Sequence, residues 1–212
     1  MPNDTPDPNL CDGARQILAA AVDAFAAHGY EGASIHTIAE LAGVSKANVF
    51  HHFASKEQLY LAVLRKASQS WYAELAPVAD SAPHFAEQLR AMVGRILDHL
   101  TREGAESRVV LREMLENGAL HGRELSEDIL APNFRIETEV FRRAQANGEL
   151  RDNIDPALAW MMTMSACAFF FQTRDVMRFN PELPYADAPQ RYADGLCDLL
   201  LRGIAAPSSR PL

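Results

Sequence analysis

Within eleven residues, Lys46, Asn48, His51 and Lys56 offer two ammonium groups, an amide that both donates and accepts, and an imidazole. Such a set can grip a nucleic acid: lysine meets a phosphate as a point charge, and an amide matches an adenine edge or bonds a phosphate. Asn48 could do either, and His51 is long enough to reach either target. Ser34, Thr37 and Ser45 add hydroxyls, with Ser34 and Ser45 standing where a hydroxyl caps a helix whose N-terminus attracts anions. Ala47 and His52 complete the stretch. The adjacent histidines do not suggest a metal, because neighbours on a helix point about 100° apart and no carboxylate or cysteine completes a site. No cofactor is expected.

These side chains need a scaffold, and the residues around them supply one. Ile35, Ile38, Ala39 and Ala42 recur at helical spacing, and Gly43 provides the positive φ that ends a first short helix. Val44 plugs the corner, Ser45 caps a second helix, and Val49 and Phe53 lie four apart on its apolar face. The pattern is a helix-turn-helix with a polar surface left for a partner. Between Ser34 and Lys56 only Glu40 is acidic. That face is locally neutral to positive, although the first 66 residues carry seven carboxylates against five basic side chains.

Every other segment long enough to classify also has helical periodicity. One helix precedes the motif over residues 14–28 and stops at Gly29. Ser55 caps a fourth, which runs to Leu75 before Pro77 and is long enough to leave one domain and enter the next. Breakers divide the remainder into helices over 83–101, 107–117, 126–146, 157–177 and 188–205. Asp155-Pro156 is a strong start signal for the 157–177 helix. The expected architecture is all-α. A tail of residues 1–12 precedes a three-helix helix-turn-helix domain over 13–66, the long fourth helix leads to a larger helical domain over 67–206, and 207–212 is a loose tail.

The formal net charge of −8 excludes wrapping of nucleic acid by a broadly basic surface, so a local site must do any such work. Cys11, Cys167 and Cys197 are an odd number without close spacing, which suggests reduced, buried thiols and a cytoplasmic setting. The opening residues, with Asp4, Asp7 and three prolines, lack the basic start and apolar run of a signal peptide. The longest apolar run, residues 157–171, is shorter than the roughly 20 residues that span a bilayer, so no membrane partner is expected.

Residues 16–64 resemble the TetR family of bacterial transcriptional repressors in three linked pieces. They are the opening helix from Ile17 with its Phe25-Ala26-Ala27-His28-Gly29-Tyr30 ending, then Ser34 with the run from Ile38 to Lys46, and last Phe50-His51-His52-Phe53-Ala54-Ser55-Lys56-Glu57-Gln58-Leu59. The resemblance implies a homodimer that places two recognition helices, here residues 46–52, in successive major grooves of a palindromic double-stranded DNA operator. It also implies release by a small-molecule effector, dimerisation through the last two helices, and no enzymatic activity. Two departures stand out. Ala47 and Asn48 replace a frequent glycine and threonine, and Phe50 replaces a tyrosine, removing a hydroxyl that could bond a phosphate.

The 157–177 helix is apolar almost all round and needs two burial partners, one being core and the other the dimer interface that the family resemblance implies. Candidates to line an effector cavity are Trp71, Met114, Phe134, Phe141, Met164 and Phe170, with Arg95, His99, Arg112, Glu137 and Arg174 as the polar members. Plain core is the competing reading for each apolar residue. An all-helical small-molecule-binding protein or enzyme with a vestigial helix-turn-helix is the alternative function, but no local catalytic signature supports it. A helical adaptor that only dimerises would leave the polar face over 46–52 unexplained.

Overall fold

The first helix, α1 (Asp12–Gly32), buries Ile17, Leu18, Ala21, Val22 and Phe25 along one face and breaks at Gly29, whose φ of 69° and ψ of 179° leave the helical region. In this computed structural model, which describes residues 12–117, 122–123 and 125–204, the break strands carbonyls near the end of the main run. Arg112 takes two of them, its guanidinium donating to the carbonyls of Phe25 and Ala26, each at 3.3 Å. One further turn follows Gly29 before Ser34 opens α2 (Ile35–Leu41). Next come α3 (Lys46–His52) and α4 (Lys56–Leu75), the latter capped by Ser55, whose hydroxyl accepts from the Gln58 amide at 3.1 Å.

The chain divides into two compact units, one from the residues up to Ala67 together with Ala105–Leu125, the other from Ser68–Gly104 together with Ser126 onward. Where one sequence boundary at Ala67 was expected, residues 105–125 return to the first unit. That segment holds α6 (Gly104–Arg112), which passes without a break into wide π turns over Glu113–Asn117. It therefore starts earlier than the sequence suggested and ends in looser geometry.

The core of the first unit is aromatic. Phe25 meets Tyr60 edge-on with centroids 4.8 Å apart, and Tyr30 lies 4.9 Å from Tyr60. Tyr60 is 1% exposed, and its hydroxyl donates to Glu113 Oε2 at 2.8 Å; Glu113 itself is fully buried. Lys66 pairs with the buried Glu106, so α6 and its π extension carry three polar attachments to the rest of the unit.

In the second unit, α5 (Phe85–Arg102) packs on α8 (Pro156–Met177) and α9 (Pro189–Ile204), and α7 (Ala131–Ala146) packs on α8. π turns over Leu125–Leu130 lead directly into α7, where the expected helix over 126–146 had no interruption. Pro132 stands at the join, and a proline has no N–H for the regular ladder of the turn before it. Asp155 caps α8 as its sequence implied, accepting from the Leu158 amide at 2.8 Å. The side chains of α9 facing the core are Ala193, Cys197 and Leu201, whereas Leu196 and Leu200 are partly exposed and Leu199 is 74% exposed. Cys167 and Cys197 are free and buried, burial pushing their thiols up to about 12 and about 11; Cys11 lies outside the described residues. The tails expected over 1–12 and 207–212 fall almost wholly outside them too.

Removing the Tyr60 hydroxyl withdraws a donor from a buried carboxylate, a change that costs about 1–3 kcal/mol. Tyr60→Phe should lower the free energy of urea unfolding by that amount, with the far-ultraviolet circular dichroism of the native state unchanged.

Candidate functional site

The turn between α2 and α3 is fixed by backbone hydrogen bonds. Gly43, with φ of 65°, donates to the Glu40 carbonyl at 3.1 Å and Val44 donates to the Ala39 carbonyl at 2.9 Å, the paired closure of a Schellman motif. Ser45 then caps α3, accepting from the Asn48 amide at 3.1 Å. Ser34 caps α2 in the same way, accepting from the Thr37 amide at 3.0 Å, and its hydroxyl also bonds the Thr37 hydroxyl at 2.9 Å. Val49, fully buried, anchors α3 from below, as Ile38 and Ala39 anchor α2.

The sequence-derived nucleic-acid residues separate into three groups. Lys46, Ala47, Asn48 and His51 are exposed on α3. Ser34, Thr37 and Ser45 are bound into the caps, so their hydroxyls serve first to hold the helices. His52 and Lys56 turn toward α1. A Cβ on Gly13 of α1 would lie 3.2 Å from His52 Nε2, and the His52 ring meets that of His51 edge-on at 5.1 Å. Lys56 places its ammonium 4.5 Å from the centroid of the Tyr30 ring and 3.4 Å from the Glu31 carbonyl oxygen. Glu40, the acidic residue of the stretch, approaches His36 at 3.3 Å one turn away. Phe50, set aside by the sequence for its missing hydroxyl, is 50% exposed on α3; its angle of about 100° from Val49 was the available signal.

The expected cavity residues do not form one group. Arg112 and Met114 belong to the first unit, where Arg112 is spent on α1 carbonyls and Met114 is 48% exposed. In the second unit Phe141 is core, packed on Phe85 at 5.4 Å and near Trp160 at 6.5 Å. Phe170 stacks on Tyr192 at 4.2 Å, while Phe134 and Met164 are partly exposed. Arg95 donates to the Glu74 carbonyl at 3.2 Å, and Arg174 to the Thr101 hydroxyl at 3.3 Å. Three of the candidates do meet. Trp71, from α4, donates its indole N–H to Glu137 Oε1 on α7 and receives the His99 ring of α5 edge-on at 5.1 Å. His99 is 3% exposed and Glu137 8%, so this is a polar cluster inside an apolar unit. Among the described residues no group of histidine, cysteine and carboxylate side chains is placed to hold a metal, and no helix is long and apolar enough to cross a membrane.

The helix-turn-helix unit and the helical second unit correspond to two family models. Residues 17–63 match bacterial regulatory proteins of the tetR family, and residues 81–210 match the tetracyclin repressor-like C-terminal domain. The chain belongs to the TetR family. It is 40% identical over 120 residues to the HTH-type transcriptional regulator RutR of Escherichia coli (strain K12), an alignment covering 55% of this chain and spanning about half, 55%, of that relative. With the HTH-type transcriptional repressor NicS of Pseudomonas putida it shares 30% identity over 194 residues, 89% of this chain and 90% of that protein. Its fold is similar to that of FadR from Bacillus subtilis in complex with stearoyl-CoA, with a TM-score of 0.74 at 21% identity, over 90% of this chain and 98% of that one.

Burial raises the Glu137 carboxyl from the usual 4.5 to about 7, against the opposing effect of the Trp71 hydrogen bond. The folded protein therefore holds this proton more tightly than the unfolded chain, and the stability contributed by it is lost as pH rises from 4.5 to about 7. Glu137→Gln keeps an oxygen for Trp71 and removes the titration. The unfolding free energy of the variant relative to the parent should increase between pH 5 and pH 7.5 by up to about 3 kcal/mol, read from urea melts at each pH.

Proposed function

We propose that this chain is a cytoplasmic, homodimeric transcriptional repressor that binds a palindromic operator through residues 13–66 and is released by a small-molecule effector bound within residues 67–206. The observation that carries the reading is α3, a capped helix exposing Lys46, Ala47, Asn48 and His51 beyond a Schellman turn, inside the stretch that matches the family. Lys46 neutralises phosphate, Asn48 and His51 reach base edges or phosphate, and Ser34, Thr37 and Ser45 orient helix N-termini toward the backbone. Lys56, held on Tyr30, presents its charge from a fixed position. Ala47 and His52 bound the contact surface.

Dimerisation through α8 and α9 is supported by what those helices leave uncovered. On α8, Leu158, Met161, Met162, Phe169 and Val176 are 41% to 72% exposed, and Leu199 adds to them from α9. A run of that size on a helix already buried along its other side fits a self-complementary interface. Effector recognition is assigned to the Trp71, His99 and Glu137 cluster, because buried polar groups in an apolar surround give a small molecule both orientation and affinity. Binding there favours pairs whose recognition helices no longer match successive grooves.

The purified protein should shift DNA from upstream of its own gene in a sequence-selective, salt-sensitive manner, and binding that salt leaves unaltered or that random DNA competes away equally would reject the assignment. Lys46→Ala should weaken binding on all sequences and lower the salt slope by about one. Phe169→Glu should convert a dimer into a monomer in sedimentation velocity while leaving helix content unchanged.

A further inference from the structure

Phe50 is an anomaly on an otherwise polar helix surface. Its neighbours Val49 and Phe53 are 0% and 8% exposed and belong to the core, but Phe50 is 50% exposed. With Val49 as the buried pole and about 100° per residue, Ala47 and His51 straddle the outward pole of α3. Phe50 stands on the flank between Ala47 and Lys46, and Asn48 on the opposite flank. Residues three apart adjoin on a helix, so the Ala47 methyl and the Phe50 ring make one apolar strip bordered by an ammonium and an imidazole.

We propose that Phe50, with Ala47 beside it, reads the 5-methyl group of thymine in the major groove of the operator. The inference rests on the repressor reading above and adds the base that this part of α3 selects. A phenyl ring can neither donate to a phosphate nor accept from a base, so its contribution at an interface is burial of apolar surface. The thymine methyl is the apolar group that a base edge presents in the major groove, and phenylalanine and alanine side chains are suited to it. The charge around the strip points the same way: Lys46 lies beside it, and Glu40 is the sole carboxylate between Ser34 and Lys56. An anionic partner is favoured there over a basic or purely apolar protein surface. The contact would discriminate thymine from cytosine at a position that hydrogen bonding from Asn48 on the far flank does not address.

The experiment uses the full chain and a random double-stranded DNA library. Selection should enrich a symmetric sequence with fixed thymines in each half. Each thymine is then replaced by deoxyuridine, which deletes the methyl and keeps every hydrogen-bonding group. At the thymine facing Phe50 the affinity should fall about three- to tenfold. In Phe50→Ala, whose exposed site makes folding independent of the ring and whose circular dichroism serves as control, the same replacement should change nothing. If uridine is tolerated at every position, or if its full cost persists in Phe50→Ala, the ring does not read the methyl and the repressor reading stands without it. If the unmodified protein enriches no sequence, the repressor reading fails and this inference falls with it.

Discussion

A seven-residue helix cannot hold itself together in water, and the proposed recognition surface of this protein is built on two of them. Helix nucleation is costly enough that isolated helices below about 12 residues are marginal even with favourable sequences. Both α2 and α3 therefore exist through what is outside them: the serine caps at their starts, the left-handed turn at Gly43 between them, and Ile38, Ala39 and Val49 buried beneath. The exposed residues of α3 have fixed directions only because these supports leave the helix one way to lie. Rigidity at this surface is borrowed from the core.

That core is completed by a segment from much later in the chain. The break at Gly29 frees carbonyls to which the Arg112 guanidinium donates, and the Tyr60 hydroxyl donates to Glu113. Burying a charged group is expensive, and a hydrophobic replacement of equal volume often stabilises more. What polar attachments provide in exchange is direction: each works in one geometry, so α6 and its π extension cannot slide on the unit they join. The Lys56 ammonium over Tyr30 extends the same aromatic cluster to the start of α4. A cation held in place loses less freedom when a phosphate arrives than one on a free stem.

The features legible in the sequence were those decided within a few residues. Gly43 and its two bonds, the caps at Ser34, Ser45 and Ser55, and Asp155 before Pro156 depend on local backbone chemistry and stand as the residue types imply. Periodicity, by contrast, reports that a helix has an apolar face without saying which core receives it. For that reason residues 105–125 could not be assigned to the first unit, and Arg112 read as a cavity residue when its partners are on α1. On α9 apolar residues occupy two adjoining faces, and Ala193, Cys197 and Leu201 are the inward ones while Tyr192 and Leu196 are partly and Leu199 largely exposed. Both faces are apolar, and where two adjoining faces can each be buried, hydrophobicity alone does not choose between them.

The charge of the chain bears on how such a surface discriminates. At physiological ionic strength fields decay over about 8 Å, so carboxylates remote from α3 barely weaken the phosphate contacts proposed there, and the local balance governs. The same net charge of −8 still disfavours long-range attraction to arbitrary DNA, and few lysines are present to sustain nonspecific binding. A regulator built this way gains less from phosphate contacts than a broadly basic one. On the proposed reading a larger share of the affinity comes from the groove, through the base edges assigned to Asn48 and His51 and the apolar contact assigned to Ala47 and Phe50. Discrimination then improves because the sequence-blind part of the binding energy is small.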